Sequence, residues 1–198
     1  MSSCPTAPVA PTMPILYFLF MDDLSKKIID VCNELKVCPT QHLIYVSIAL
    51  QKLFLYKGGV LEKIYQVSTS RNPPSCIENS LGTPTGLHKI DGKIGAGEKL
   101  GTVFKGRIPH GLVCEQPEQE RKKNLITTRI MRLRGLQDGV NCGGKVDTYN
   151  RFVYIHGTNQ EDKLGSPNSH GCVLLSNADV AELFDLVEDN SIVFISEE

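Results

Sequence analysis

The sequence predicts a mainly β domain of the α+β class, a β-sandwich or set of mixed sheets with one helix at each end, on three observations. From Leu43 onward, short runs rich in Val, Ile, Leu, Tyr and Phe are bounded by Gly, Pro or polar turns. Two segments instead space their apolar residues three and four apart, one before and one after most of those runs. The 198 residues, 41% of them hydrophobic, suit one domain that buries roughly 70% of its unfolded surface without a metal or disulfide framework.

The elements follow in order. Pro5, Pro8, Pro11 and Pro14 deny backbone donors and helical dihedrals, so residues 1–21 read as a flexible arm. Residues 22–41 read as a helix and linker: Leu24, Ile28, Val31 and Leu35 share one face, with Asp22 and Asp23 where a helix N-terminus favours negative charge. Residues 42–198 form the main domain. It opens as a meander of Leu43–Ala49, Leu53–Tyr56 and Val60–Val67, the last two joined through Lys57-Gly58-Gly59. Arg71–Gly86, with Pro73-Pro74, Gly82 and Pro84, reads as a loop leading to a strand at Leu87–Ile90. Gly92, Gly95, Gly97, Gly101 and Gly106 mark a second loop-rich region, before strands at Leu125–Leu133 and Arg151–Ile155. Ser176 or Asn177 is the expected N-cap of a helix carrying Val180, Leu183, Phe184 and Val187, and Ser191–Ser196 closes as a strand.

Composition excludes several classes of function. With 21 Lys and Arg against 22 Asp and Glu, and no Trp, neither the basic field nor the stacking surface of a nucleic-acid binder is present. Cys4, Cys32, Cys38, Cys76, Cys114, Cys142 and Cys172 are odd in number, irregular in spacing and free of CxxC, which is neither a disulfide scaffold nor a zinc module. The apolar run Ile15–Met21 ends at Asp22, far short of the roughly 20 residues of a membrane span. It also lacks the basic flank of a secretory signal.

The chemistry gathers at Ser169-His170-Gly171-Cys172. A cysteine attacks as thiolate, so it needs a base nearby and donors aimed at the developing oxyanion. Gly171 permits a tight turn with an unobstructed N–H, and His156, expected at the open end of the strand from Arg151, is followed by Gly157. The loop Thr158–Asn168 is long enough to fold back and bring His156 beside Cys172. Tyr154 shares a strand face with His156 by alternation, which leaves pocket lining and core packing both open. His156, His170 and Cys172 could supply a metal with N, N and S ligands, but no clear fourth ligand accompanies them, and no metal is expected. His42, His88 and His110 lack partnered motifs and are expected at the surface or at strand ends.

Tyr154-Ile155-His156-Gly157-Thr158-Asn159, then Ser169-His170-Gly171-Cys172, then Asn177 and Asp179, resemble the YkuD-type L,D-transpeptidase domain. Leu53-Phe54-Leu55-Tyr56, Tyr65-Gln66-Val67-Ser68-Thr69 and Thr83-Pro84-Thr85-Gly86 resemble its opening strands. The resemblance implies a cofactor-free enzyme of cell-wall biogenesis and cell shape, acting on the stem peptides of peptidoglycan and acylated by carbapenems. It implies Cys172 as nucleophile, His156 as base oriented by the Gly157 carbonyl, and the N–H groups of Gly171 and Cys172 as oxyanion hole. Ser169, His170, Tyr154 and Asn177 would contact substrate. An amine acceptor gives a 3-3 cross-link, D-amino-acid exchange or an anchored protein. Water instead gives an L,D-carboxypeptidase or amidase, and a third reading is a non-catalytic peptidoglycan-binding module. The resemblance points to the cell envelope, periplasm or wall, while the missing signal leaves a cytoplasmic location open. Such domains usually carry Arg, sometimes Asn, two residues after the cysteine; here Leu174 stands there, with Arg151 or Arg134 as candidate replacements for the charge.

Overall fold

The structure, a computed structural model, describes residues 15–198; residues 1–14 of the expected arm lie outside the described residues. Helix α1 spans Ile15–Glu34. It therefore begins before Asp22, because the run after Pro14 contains no Gly or Pro to interrupt it. The strands are β1 (His42–Ser47), β2 (Lys52–Lys57), β3 (Val60–Gln66), β4 (Gly86–Ile94), β5 (Thr102–Lys105), β6 (Ile108–Leu112), β7 (Ile126–Gly135), β8 (Tyr154–Thr158), β9 (Val173–Leu175) and β10 (Ile192–Ser196). A one-turn helix α2 (Glu118–Arg121) precedes β7, and α3 (Asn177–Leu186) precedes β10.

These strands form one mixed sheet in the order β3-β2-β1-β10-β4-β7-β5-β6, and β8 and β9 branch from β7. β1 and β10 run parallel, as do β8 and β9. Period-two alternation gives β1 two buried faces. Ile44 and Val46 join the main core with Leu53, Leu55, Met131, Ile155, Val173 and Leu183, whereas Leu43 and Tyr45 pack with Phe54, Tyr56 and Ile192 beneath Leu24, Ile28 and Cys32 of α1. The N-terminal helix thus covers the outer face of the sheet. α3 covers the strands on the inner side, against β7 and β8.

Two elements differ from expectation. The glycine-rich stretch expected as loop contains the β5–β6 hairpin, where Lys105 pairs with Ile108 around a turn holding Gly106 at φ +56° and Arg107 at φ +70°. Arg151 and Phe152 belong to a turn rather than to a strand: Arg151 N–H reaches Asp147 O at 3.0 Å, and Phe152 stands at φ +56°. His88, expected near the surface, is fully buried in β4. Its Nδ1 lies 3.0 Å from Gly86 O and its Nε2 3.1 Å from Thr148 Oγ1, and burial lowers its pKa to about 4. His42 at the start of β1 is buried as well.

Candidate active site

β8 lies between β7 and β9, and that placement orients His156. The residue pairs with Ile130 on one side and Leu174 on the other, inside the sheet rather than at its open end, and is only 4% exposed. Its Nδ1 is 2.8 Å from Gly157 O. A carbonyl can only accept, so the ring proton belongs on Nδ1 and the lone pair on Nε2. Burial disfavours the imidazolium and lowers the pKa of His156 to about 4. Gly157 must be glycine on packing grounds, since a Cβ there would stand 2.8 Å from Thr127 O and 3.0 Å from Val180 Cγ1.

The segment before β9 is tied down by its own serine. Ser169 is buried; its hydroxyl donates to Cys172 O at 2.6 Å and accepts the Gly171 N–H at 3.1 Å. Its backbone N–H donates to Thr69 O at 2.9 Å, while its carbonyl accepts from Arg71 at 3.2 Å. Ser169 therefore holds the turn, and the Gly171 N–H, expected in an oxyanion hole, donates to it. Gly171 itself has φ +121°, a region L side chains rarely adopt.

Cys172 is half-buried. Its Sγ accepts the Tyr154 N–H at 3.4 Å and lies 3.7 Å from Phe152 O. Burial pushes the thiol up to about 11, against the opposing pull of the Tyr154 N–H and the Arg151 guanidinium. Cys172 and His170 line two depressions at once. One, of about 190 Å³, is completed by Asn124, Ile126, His156, Ser169 and Leu174. The other, of about 220 Å³, is walled by Glu78, Asn79 and Leu81 on one side and by Asn150–Val153 on the other. Three residues that line this second cavity, Asn79, Leu81 and Phe152, have φ between +56° and +63°. Left-handed backbone at non-glycine residues costs energy and gathers at ligand sites. Sequence reasoning missed this wall, as Glu78, Asn79 and Leu81 sit in a Pro- and Ser-rich loop without periodicity.

Not every expected residue reaches the cavities. Tyr154 packs with Phe104, Ile130 and Cys172 in a small apolar cluster, and its hydroxyl accepts from Arg107 Nη1 at 3.1 Å. Asn177 lies at the start of α3, where its Oδ1 accepts from Thr127 at 2.7 Å and from the Thr128 hydroxyl. Its Nδ2 donates to Thr158 O at 3.1 Å and Glu161 Oε1 at 2.6 Å. That exhausts the bonding capacity of the amide, which makes Asn177 a clamp joining α3 to β7 and β8. Of the two candidate cations, Arg134 is paired with Asp91 and stacked on Tyr149, whereas Arg151 lines the second cavity. Leu174 is buried beside His156.

Cys32, Cys38, Cys76, Cys114, Cys142 and Cys172 are free thiols. Among the described residues no group of three His, Cys, Asp or Glu side chains could hold a metal ion, and no helix is long and apolar enough to cross a membrane.

No curated protein matches the sequence. The fold is shared with solved structures. L,D-transpeptidase 3 from Mycobacterium tuberculosis at 1.32 Å superposes with a TM-score of 0.51 at 16% identity, over 79% of this chain and 61% of that one. The same enzyme in complex with a faropenem-derived adduct gives 0.51 and 16%, over 79% and 60%. A further L,D-transpeptidase from M. tuberculosis H37Rv gives 0.50 and 16%, over 79% and 58%. The chain thus spans about three-fifths of the length of these proteins. The model of the YkuD family, the L,D-transpeptidase catalytic domain, matches residues 41–195, and the chain belongs to that family.

Proposed function

We propose that this protein is a cysteine-dependent L,D-transpeptidase that acts on peptidoglycan tetrapeptide stems in the cell envelope. The observation that carries the reading is the placement of a neutral imidazole, with its Nε2 lone pair free of the Nδ1–Gly157 bond, on the same cavity as the Cys172 thiol. With His156 lowered to about 4 and Cys172 raised to about 11, both are uncharged at neutral pH. The thiol proton passes to His156 Nε2 as sulfur attacks the carbonyl that joins the L-centre of the third residue to the terminal D-residue. The C–N bond then breaks, the leaving amine takes the proton from His156, and a thioester remains on Cys172. An amine acceptor, deprotonated by His156, attacks the thioester and restores the thiol. The oxyanion falls to the Cys172 N–H, joined by that of Gly171 only once its bond to Ser169 opens. Two depressions meeting at Cys172 and His170 offer separate places for donor and acceptor.

A tetrapeptide stem incubated with and without a diamino acceptor tests the reaction. Cross-linked dimer or D-amino-acid exchange is the expected product; tripeptide alone would assign water as the acceptor. A penem, the class seen as an adduct on the M. tuberculosis enzyme, should add covalently to Cys172 by intact-protein mass spectrometry. Failure of the reduced, accessible thiol to form that adduct would sink the proposal.

A further inference from the structure

Arg151 joins the two walls of the cavity that Cys172 lines. Its backbone belongs to the turn whose next residues touch the thiol: Phe152 O lies 3.7 Å from Cys172 Sγ, and the Tyr154 N–H donates to that sulfur at 3.4 Å. Its guanidinium crosses to the opposite wall. There Nη1 donates to Ser75 O at 3.0 Å, and Nη2 to Gly82 O at 2.8 Å and Ser80 Oγ at 3.3 Å. Gly82 O in turn abuts the run that ends at the thiol, since a Cβ on Gly171 would stand 3.3 Å from it. One side chain thus ties the Ser75–Gly82 loop to the two segments that hold Cys172.

The brace also carries a charge that its bonds do not require. All three acceptors are neutral, and among the described residues no carboxylate forms an ion pair with Arg151. A half-buried guanidinium without a counter-charge is costly. The cavity presents to it Cys172, His170 and the exposed carboxylate of Glu78, and His156 meets the thiol from the other depression. Cys76 follows Ser75 on the braced loop, the Tyr154 hydroxyl is bound by Arg107, and the Asp147 carboxylate takes the N–H groups of Gly143 and Asn150. Of these groups, only Cys172 is a group that acylation drives toward negative charge. A neighbouring cation favours a thiolate. Burial raises the Cys172 thiol, and Arg151 pulls against that rise.

We propose that Arg151 is a positioning residue for acylation: it fastens the Ser75–Gly82 wall to the turn before Cys172, and its uncompensated charge supports the sulfur as the thiol proton leaves for His156. This rests on Cys172 as the acylating thiol. Both terminal nitrogens of the fork are already bonded to protein, so Arg151 acts on the sulfur rather than by holding substrate.

The test separates charge from brace. Alkylation by iodoacetamide, read at Cys172 by peptide mass spectrometry with the exposed Cys38 as internal reference, follows the thiolate fraction at pH values below the thiol pKa. Arg151→Gln keeps amide donors without charge, and should slow both this alkylation and penem acylation by roughly tenfold to a hundredfold. Arg151→Lys keeps the charge but loses the fork, and should stay within about threefold of wild type in both rates while melting at a lower temperature. With a tetrapeptide stem, the Arg151→Gln loss should fall on kcat and leave KM nearly unchanged. In a His156→Gln background the slowing of alkylation should persist, because the charge acts on sulfur directly. Wild-type alkylation in Arg151→Gln with only the melting temperature lowered, equal loss in the Gln and Lys variants, a loss confined to KM, or a loss that vanishes without His156 would each overturn the proposal. A wild-type protein that neither turns over a stem nor takes up penem would overturn the reading of Cys172 instead, whatever the alkylation comparison shows of Arg151.

Discussion

At the scale of single residues, the pairing of an acid-shifted imidazole with a base-shifted thiol distinguishes this site from a preformed thiolate–imidazolium pair. Below about 4 His156 is protonated and cannot accept; above about 11 Cys172 ionises by itself. The rate of penem acylation should therefore stay nearly flat between these limits wherever the fold persists, measured as adduct formation against pH. An acid limb near neutrality would contradict the neutral pair. His156→Gln should slow acylation by about 10²–10⁴-fold, while Cys172→Ser should abolish the thioester adduct and leave the melting temperature close to wild type. Asn177 belongs to a different category. Its amide bonds Thr127, Thr128, Thr158 and Glu161, so Asn177→Ala should cost about 2–4 kcal/mol in urea denaturation through the buried partners left unmet, with activity lost only as stability is lost.

At the scale of elements, the short run from Ser169 to Cys172 matters more than its length suggests. It is fastened to the strand-like segment Val67–Arg71: Leu174 exchanges backbone bonds with Ser68 at 2.9 and 3.0 Å, and Ser169 donates to Thr69. Ser68 also reaches Lys163 O and Ser166 O with its hydroxyl, at 3.1 and 2.7 Å, which folds the Thr158–Asn168 connection back across the sheet. The thiol is positioned by that rail. Gly171→Ala places a Cβ 3.3 Å from Gly82 O at φ +121°, a strain of about 1–3 kcal/mol that should displace the turn. We expect acylation to fall far more than the melting temperature. The following helix is capped as its sequence requires, with Ser176 Oγ accepting the Asp179 N–H at 3.0 Å. Ser176→Ala should cost about 1 kcal/mol and leave the chemistry intact, since Ser176 lines neither cavity.

At the scale of the whole molecule, two buried histidines make the fold sensitive to acid. His88 and His156 both have native pKa values near 4 against 6.5 for the ordinary group. Between those values the unfolded chain takes up protons that the native state refuses, so stability is full above about 6.5 and declines as pH falls toward 4. The loss approaches about 3 kcal/mol for each histidine. Urea midpoints at pH 7.5 and 4.5 measure it, and His88→Gln should remove His88's share of the difference. The core itself was largely legible in the chain, since Leu43, Tyr45, Ile44 and Val46 alternate between two buried faces. The hairpin of β5 and β6 was hidden by its glycines and proline, because pairing geometry rather than side-chain pattern holds it.

The sequence by itself determined the class of fold, the two covering helices, a cap at Ser176 or Asn177 and the family, because periodicity, capping chemistry and the Ser169–Cys172 run are local properties of the chain. It also pointed to His156 and Cys172 as a pair. Only the tertiary structure decided what surrounds them. What the Asn177 amide bonds to and which arginine stands by the thiol depend on contacts between residues far apart in sequence. Arg151 meets Ser75, Ser80 and Gly82 across about 70 positions, and no short-range pattern records such a meeting. Long-range hydrogen bonding and burial set the protonation of both groups, which is why the residues could be read from the chain and their states could not.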